Sequence, residues 1–288
     1  VFDDFVVERI DLGDVTIRAR FGGQGTPVVL LHGHPRTHTT WHEVASRLDA
    51  EHAVVCPDLR GYGESTLPPD EADHSQSSKR AMAGDVARLM TRLGHDRFAV
   101  AGHDRGALVA FRTAMDHPHR VSHLVVMDGL PVIEHLERTD ARFARAWWHW
   151  WFLGQVDKPA ERFINADPGA WYSTPPPEAM GAANHADVWA ALRNPGVVHG
   201  MCEDYRAGLG IDRDHDEADR LAKRRVLCPT LLLESARDDL DIQGDPVAIW
   251  QPWLELPIQH RVIDSGHHQA EEAPDEVARA VSEFLARP

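Results

Sequence analysis

The sequence predicts an α/β protein built on a mostly parallel, doubly wound sheet with a helical cap inserted between its two halves. Three observations predict it. Short continuous apolar runs alternate with stretches of helical apolar spacing, as strands buried on both faces and their crossover helices do. That alternation stops between Pro131 and about Arg220. It returns at Thr230-Leu-Leu-Leu-Glu234 and continues toward the C-terminus.

The elements follow in order. Phe5–Ile10 and Val15–Arg20 flank the turn signal Asp11-Leu-Gly-Asp14 and read as a hairpin. Pro27-Val-Val-Leu-Leu-His-Gly33 and Ala53-Val-Val-Cys56 read as buried strands. Met82, Val86, Leu89 and Leu93 give Ser77–Leu93 the apolar spacing of a helix. Arg97–Ala101 is a third buried strand, followed by a turn and a helix through Met115, and Val121–Met127 is a fourth. After the Thr230 strand come a helix near Pro246–Leu254, a strand near His260–Ile263 and a final helix Pro274–Ala286. The expected division is therefore a core in two parts, 1–130 and 221–288, with a cap over 131–220. The cap holds six of the nine tryptophans, Trp147, Trp148, Trp150, Trp151, Trp171 and Trp189, so it carries most of the large aromatic surface. In open α/β sheets a site lies at the carboxyl ends of the strands, which is where such a cap sits.

Composition narrows the function. The 288 residues carry 45 Asp+Glu against 30 Lys+Arg, a formal net charge of −15. A nucleic-acid partner would need a basic face, and an anionic membrane surface would need Lys/Arg clusters, so neither is expected. No apolar run approaches the ~20 residues of a membrane span. The segment Val1–Asp14 is acidic and lacks the pattern of a secretory signal. Cys56, Cys202 and Cys228 are widely spaced with no CxxC, which disfavours a disulfide framework or a zinc site and fits a reducing cytoplasm.

The chemistry concentrates at Gly102-His103-Asp104-Arg105-Gly106, between a buried strand and a helix. Glycines flanking a strand-to-helix turn let the central side chain project at the top of the sheet. In serine hydrolases the central residue is Ser; here it is Asp104, and no G-x-S-x-G occurs elsewhere. A carboxylate is ionised at neutral pH and can displace a leaving group from saturated carbon, leaving an ester that water must cleave. The blander alternative is an Asp capping the helix. Ser265-Gly266-His267-His268 follows the last strand, and His267, directly after the glycine, is the candidate general base. A carboxylate should orient its ring: Asp128 at the end of the fourth buried strand, or Asp238 or Asp239 after the Thr230 strand. His32-Gly33-His34-Pro35 ends the strand before this region, so the backbone N–H groups of His34 and Arg105 would form an oxyanion hole.

With these pieces assembled, the chain resembles the fluoroacetate (haloacetate) dehalogenase family of the α/β-hydrolase superfamily. The matching segments are His32-Gly-x-Pro35, Asp58-Leu-Arg-Gly-Tyr-Gly-Glu-Ser65, the Asp104 elbow, His149-Trp150, Met201-Cys-Glu-Asp-Tyr-Arg-Ala-Gly208, and Ser265-Gly-His267 with Glu271-Glu-Ala-Pro274. The resemblance implies the α/β-hydrolase fold, a homodimer and hydrolysis of a small haloacid such as haloacetate through an aspartyl ester. It also implies roles: Asp104 as nucleophile, His267 as base, Asp128 as its acid partner and Arg105 on the substrate carboxylate. His149, Trp150 and Tyr205 would bind the departing halide. Trp147, Trp148 and Trp151 are expected to serve packing.

Two positions depart from the family pattern. Its second carboxylate-binding arginine is replaced by Leu108, with Arg36 as a conceivable substitute, and His34 stands where a bulky apolar residue is common. The alternative activity is epoxide hydrolysis with Tyr172 and Tyr205 as acid donors. A further alternative is a non-catalytic ligand-binding protein on the same fold. No cofactor is expected, because neither GxGxxG nor a Walker A loop occurs. His32, His34, His38 and His42 cluster, with His38 and His42 at i, i+4 spacing; the oxyanion-loop reading accounts for the first two, and no metal site is expected. Asp212-x-Asp214-x-Asp216 reads as a solvated acidic loop, since it lacks the glycine and glutamate of a calcium loop.

Overall fold

The computed structural model describes residues 2, 4–157 and 159–287. Eight strands form one sheet: β1 Val6–Asp11, β2 Thr16–Gly22, β3 Thr26–Leu31, β4 His52–Pro57, β5 Phe98–His103, β6 Val121–Met127, β7 Thr230–Ser235 and β8 Gln259–Ile263. Their spatial order is β1-β2-β4-β3-β5-β6-β7-β8. β1 and β2 pair antiparallel with Ile10 opposite Ile17, and β2 runs antiparallel to β4; the remaining pairs are parallel.

Side-chain alternation divides the core into two faces. Val28, Leu30, Val54, Ala99, Val125 and Leu231 point to one face, where helix α1 (His42–Leu48) and the C-terminal helix Pro274–Leu285 cover them with Val44, Leu48, Val281 and Phe284. Their neighbours Val29, Leu31, Val100 and Leu232 point to the other face, toward α2 (Lys79–Arg92) and α3 (Arg105–Asp116). Strands buried on both faces need apolar side chains at every position, which is why the sequence shows runs rather than alternation. Ser78 caps α2 by accepting the N–H of Ala81, one of the donors a helix start leaves unpaired.

Between β6 and β7 the described residues form helices and loops, from Val132–Glu137 to Arg213–Leu221. Polar contacts fasten this segment to the core. Arg18 donates to both carboxylate oxygens of Asp187, at 2.9 and 2.8 Å, and Asn184 bonds Thr39 and Glu271.

One expectation changes here. Asp212-x-Asp214-x-Asp216 is not a solvated loop: it is helical, and only Asp214 is exposed. Asp212 accepts the backbone N–H of Lys79 at 2.7 Å, and buried Asp216 pairs with Arg112 at 2.6 Å. Lys79 and Arg112 both lie far away in sequence, so local composition could not reveal the pairing. His38 bonds Asp58 at 2.8 Å and His42 bonds the Thr39 carbonyl at 2.9 Å, so both rings hold the loop after β3.

The elbow geometry rests on close backbone approach. A Cβ at Gly106 would lie 2.3 Å from the Leu31 carbonyl oxygen, and one at Gly102 would lie 2.1 Å from that of Gly106. Neither oxygen can move without disturbing β3 or α3. Gly106→Ala is therefore expected to destabilise the protein by about 1–3 kcal/mol or more, read as a lower midpoint in chemical denaturation. An unchanged midpoint would show that the elbow has room to relax.

Candidate active site

The candidate residues come from the carboxyl ends of five strands: His34 after β3, Asp104 after β5, Asp128 after β6, Asp238 after β7 and His267 after β8. Asp104 has φ 51° and ψ −120°, a conformation that costs a non-glycine residue energy and is held by its surroundings. Its own N–H donates to the Met127 carbonyl at 2.9 Å, and α3 begins at the next residue. The positive end of the α3 dipole thus lies beside the carboxylate. Gly33 is required on the other side, because a Cβ there would lie 2.5 Å from Asp104 Oδ1.

The Asp104 carboxylate has two differentiated oxygens. Oδ1 accepts the His34 backbone N–H at 2.7 Å, while Oδ2 lies 3.9 Å from His267 Nε2. The backbone N–H of Arg105 lies beside the carboxylate and favours its charged form. Burial alone would raise the Asp104 pKa; the charges of His267 and His103 and the Arg105 N–H outweigh it and hold the group below the ordinary carboxylate value. The pair of N–H groups expected as an oxyanion hole therefore converges on Asp104.

His267 is oriented by Asp238, not by Asp128. Its Nδ1 lies 2.7 Å from Asp238 Oδ2. Asp128 is buried and occupied elsewhere: Oδ1 accepts the Ser235 N–H at 2.9 Å, and Oδ2 accepts the Ser235 hydroxyl and the Gln269 amide. Its neighbourhood raises its pKa to about 6, chiefly through burial. Asp128 nevertheless adds its field to that of Asp238 and Asp104. Burial would lower the His267 pKa, but the Asp238 hydrogen bond and these anions raise it to about 9. Asp239, the third carboxylate considered, instead accepts the Trp147 indole N–H at 2.8 Å.

Arg105 occupies a different place from that expected. Its side chain is fully buried and bonds Asp204 three times: Nε to Oδ2 at 3.0 Å, and Nη2 to the backbone oxygen at 2.8 Å and to Oδ1 at 3.1 Å. Lys79 also pairs with Asp204, and the Tyr62 hydroxyl donates to it at 2.7 Å. The guanidinium lies over the rings of Tyr205 (4.2 Å) and Trp150 (5.1 Å). It does not line the cavity above Asp104. Arg36 offers no replacement, since it is buried in an ion pair with Glu271 at 2.8 Å. Asp204 carried no signal as Arg105's partner in the sequence beyond its place beside Tyr205.

That cavity has a volume of about 960 Å³ and is walled by Asp104, His34 and His267 from the core and by His149, Tyr172 and Tyr205 from the inserted helices. The three residues expected to bind halide are brought together. The Tyr205 ring is 5.9 Å from both His149 and Trp150. The Trp150 indole N–H is buried and has no hydrogen-bond partner among the described residues. Burial lowers the pKa of His149 to about 4 and of His34 to about 3, so both rings are neutral at physiological pH. Trp147 and Trp148, expected to serve packing, also line the cavity. Neighbouring His, Asp and Glu side chains offer metal-ligand atoms at His103–His267–His268, Asp128–Asp238–His267 and Asp70–His199–Glu203. The first two share His267, whose Nδ1 is committed to Asp238; in the third, both His199 nitrogens already bond carboxylates.

Comparison with known proteins agrees with this architecture. Residues 26–274 match the family model described as alpha/beta hydrolase fold. The chain is 37% identical over 293 residues to a fluoroacetate dehalogenase from Burkholderia sp, covering 99% of this chain and 95% of that one. It is 30% identical over 278 residues to a soluble epoxide hydrolase from Corynebacterium sp. (strain C12), covering 92% and 91%. Among solved structures, an alpha/beta hydrolase from Nostoc sp PCC 7120 superimposes with a TM-score of 0.95 at 37% identity, covering 100% of both chains. The chain belongs to the α/β-hydrolase superfamily and, within it, to the fluoroacetate (haloacetate) dehalogenase family.

Two outcomes follow from the geometry. If Asp238 orients His267, Asp238→Asn should lower turnover roughly 100- to 10,000-fold, and Asp128→Asn far less. The reverse order in steady-state rates would restore Asp128 as the partner. If the Asp104 charge helps hold the proton on His267, removing it must lower the histidine pKa. NMR titration should then place the His267 midpoint lower in Asp104→Asn than in the wild type; an unshifted midpoint contradicts the coupling.

Proposed function

We propose that this hydrolase cleaves a carbon–halogen bond through an ester on Asp104. The observation that carries the reading is the differentiated carboxylate, with Oδ1 held by the His34 N–H, the Arg105 N–H beside the group, and Oδ2 facing His267. Asp104 Oδ2 attacks the halogen-bearing carbon, the carbon–halogen bond breaks, and the halide leaves with the electron pair. His149, the Trp150 N–H and the Tyr205 hydroxyl donate to it. Donors aimed at a developing anion favour the transition state over the ground state, which matters most for a poor leaving group.

The second step uses the same charges in reverse. Esterification removes the negative charge of Asp104, one of the anions that keep His267 protonated. The imidazolium then loses its proton more readily and becomes a base. Water gives a proton to His267 Nε2 and attacks the ester carbonyl carbon, and the oxyanion forms on Oδ1 against the N–H groups of His34 and Arg105. Collapse expels the alkoxide, which takes the proton back from His267. The balance is organohalide plus water to alcohol, halide and a proton. No step calls for a cofactor.

A second reading, epoxide hydrolysis, is favoured by one observation: Tyr172 and Tyr205 both line the cavity. A phenol there could protonate the epoxide oxygen. The Tyr172 hydroxyl is directed at Met201 Sδ, 3.4 Å away. Cytoplasmic location and a homodimer also belong to the proposal; among the described residues, no helix is long and apolar enough to cross a membrane.

The test is halide release from fluoro-, chloro- and bromo-derivatives of acetate and acetamide. Wild type should release halide from at least one, Asp104→Ala from none, and His267→Gln should accumulate the alkyl ester, seen as added mass on the peptide containing Asp104. Diol from styrene oxide with no halide from any of these would replace the dehalogenase reading by the epoxide one. Turnover of neither class would leave ligand binding without catalysis.

A further inference from the structure

We infer that His199 is a positioning residue, a pH-sensitive clasp that holds the helix Pro195–Ala207, and with it Tyr205, against the core. The inference rests on the reading of Tyr205 as a donor to the departing halide and adds a control on where that donor stands.

The helix Pro195–Ala207 is gripped on two sides. On the inner side its Asp204 meets Arg105, Lys79 and Tyr62. On the outer side lie the connection between β4 and α2, which belongs to the core, and the helix Glu161–Ile164, which belongs to the inserted segment. His199 joins these two. Its Nε2 lies 3.1 and 3.0 Å from the Asp70 carboxylate oxygens, and its Nδ1 lies 3.1 Å from Glu161 Oε1. Glu203, one turn further on, accepts the Gln76 amide at 2.6 Å and bonds His74 Nδ1 at 2.8 Å. Arg206 completes the outer grip, donating to Glu161 at 2.7 and 2.9 Å and to Glu203 at 2.8 Å. Tyr205 stands between Asp204 and Arg206 in the chain, so both grips place its ring.

The His199 bridge is complete in one protonation state. A neutral imidazole has one N–H, whereas an imidazolium has two and donates to both carboxylates at once. Loss of the proton turns a ring lone pair toward Asp70 or Glu161 and opens one end of the bridge. His199 is partly exposed and lines a cavity of about 620 Å³, so the ring can exchange protons with solvent. The charged groups that face it are Asp70, Glu161 and Glu203. Arg206 and His74 stand behind them, Arg9 and Glu64 line the same cavity, and the Cys202 thiol, pushed up by burial, adjoins Glu161. Burial would lower the His199 pKa, but the Asp70 and Glu161 hydrogen bonds and the charges of Asp70 and Glu203 raise it above the ordinary value. A group raised on folding stabilises the fold below its unfolded-state pKa, and that stabilisation is lost as pH rises through the folded-state value. The clasp is therefore closed below the ordinary histidine pKa and opens as pH climbs through the raised one.

NMR titration, melting and halide release test it together. The wild-type His199 midpoint should lie above that of a histidine in the unfolded chain and should fall in Asp70→Asn, a substitution at an exposed carboxylate that keeps the test open should His199→Gln not fold. His199→Gln should lower the melting temperature by about 2 °C or more at pH 6, and the difference should vanish above the His199 midpoint. Halide release is followed with whichever haloacetate or haloacetamide the wild type turns over fastest. The ratio of wild-type to His199→Gln kcat should be roughly threefold or more at pH 6 and fall toward one through that same midpoint. His267 is present in both proteins, so its own titration cancels from the ratio. A His199 midpoint at or below the unfolded value, or one indifferent to Asp70→Asn, overturns the clasp. A kcat ratio that does not change with pH overturns the positioning role and leaves His199 as a structural contact. Halide from none of these compounds overturns the dehalogenase reading, and the positioning role falls with it, while the titration still decides whether the clasp exists.

Discussion

A buried carboxylate kept ionised at the foot of the cavity is the constraint on which the rest of this structure depends. Burial alone would protonate Asp104, so its charge must be met by groups that cannot drift away. Two are backbone N–H groups, fixed by the β3 loop and the start of α3. The third is His267, whose proton is in turn held by Asp238 and by the fields of Asp104 and Asp128. Gly33, Gly102 and Gly106 are glycines because those backbones must approach closely enough to deliver the N–H groups. The left-handed backbone of Asp104 is the local cost of presenting the side chain at this point.

A second buried charge system lies next to the first and does a different task. Arg105, Asp204 and Lys79 form a closed cluster beneath Tyr205 and Trp150. Desolvated ions of this kind contribute little net stability but are costly to leave half-paired. Burial would lower the Arg105 pKa, yet Asp204 and its neighbours hold it above the ordinary value, and the same two cations hold Asp204 well below the usual carboxylate range. The cluster therefore sets the floor on which the Tyr205 and Trp150 rings rest. The formal net charge of −15 first reads as a general repulsion of anions. At the site it becomes specific: the nearest arginine is already neutralised.

Most of the fold was legible in the sequence, because each strand buried on both faces leaves an apolar run and each elbow leaves its glycines. β6 begins and ends where the apolar run predicts, and α2 differs from its predicted limits by at most two residues at either end. Asp104, His267, His149, Trp150 and Tyr205 do converge, and strand order together with the family motifs was enough to select them. What sequence could not supply was partnership across long separations. Whether His267 meets Asp128 or Asp238 depends on which loop end reaches its Nδ1, and both candidates lie at proper strand ends. Arg105 looked available because nothing local marks Asp204, 99 positions away, as its partner. The Asp212–Asp216 segment read as solvated for the same reason, its neutralising residues Lys79 and Arg112 lying on α2 and α3.

The central claim is that the oxygen joined to substrate carbon comes from Asp104 and not directly from water. A single turnover in ¹⁸O-labelled water, with enzyme in excess over a haloacetamide or haloacetate that it cleaves, tests it most directly. The account predicts an alcohol product carrying no label, and one labelled oxygen in the peptide that contains Asp104. Label in the product of that first turnover, with Asp104 unlabelled, would mean that water attacks the carbon itself and would contradict the account.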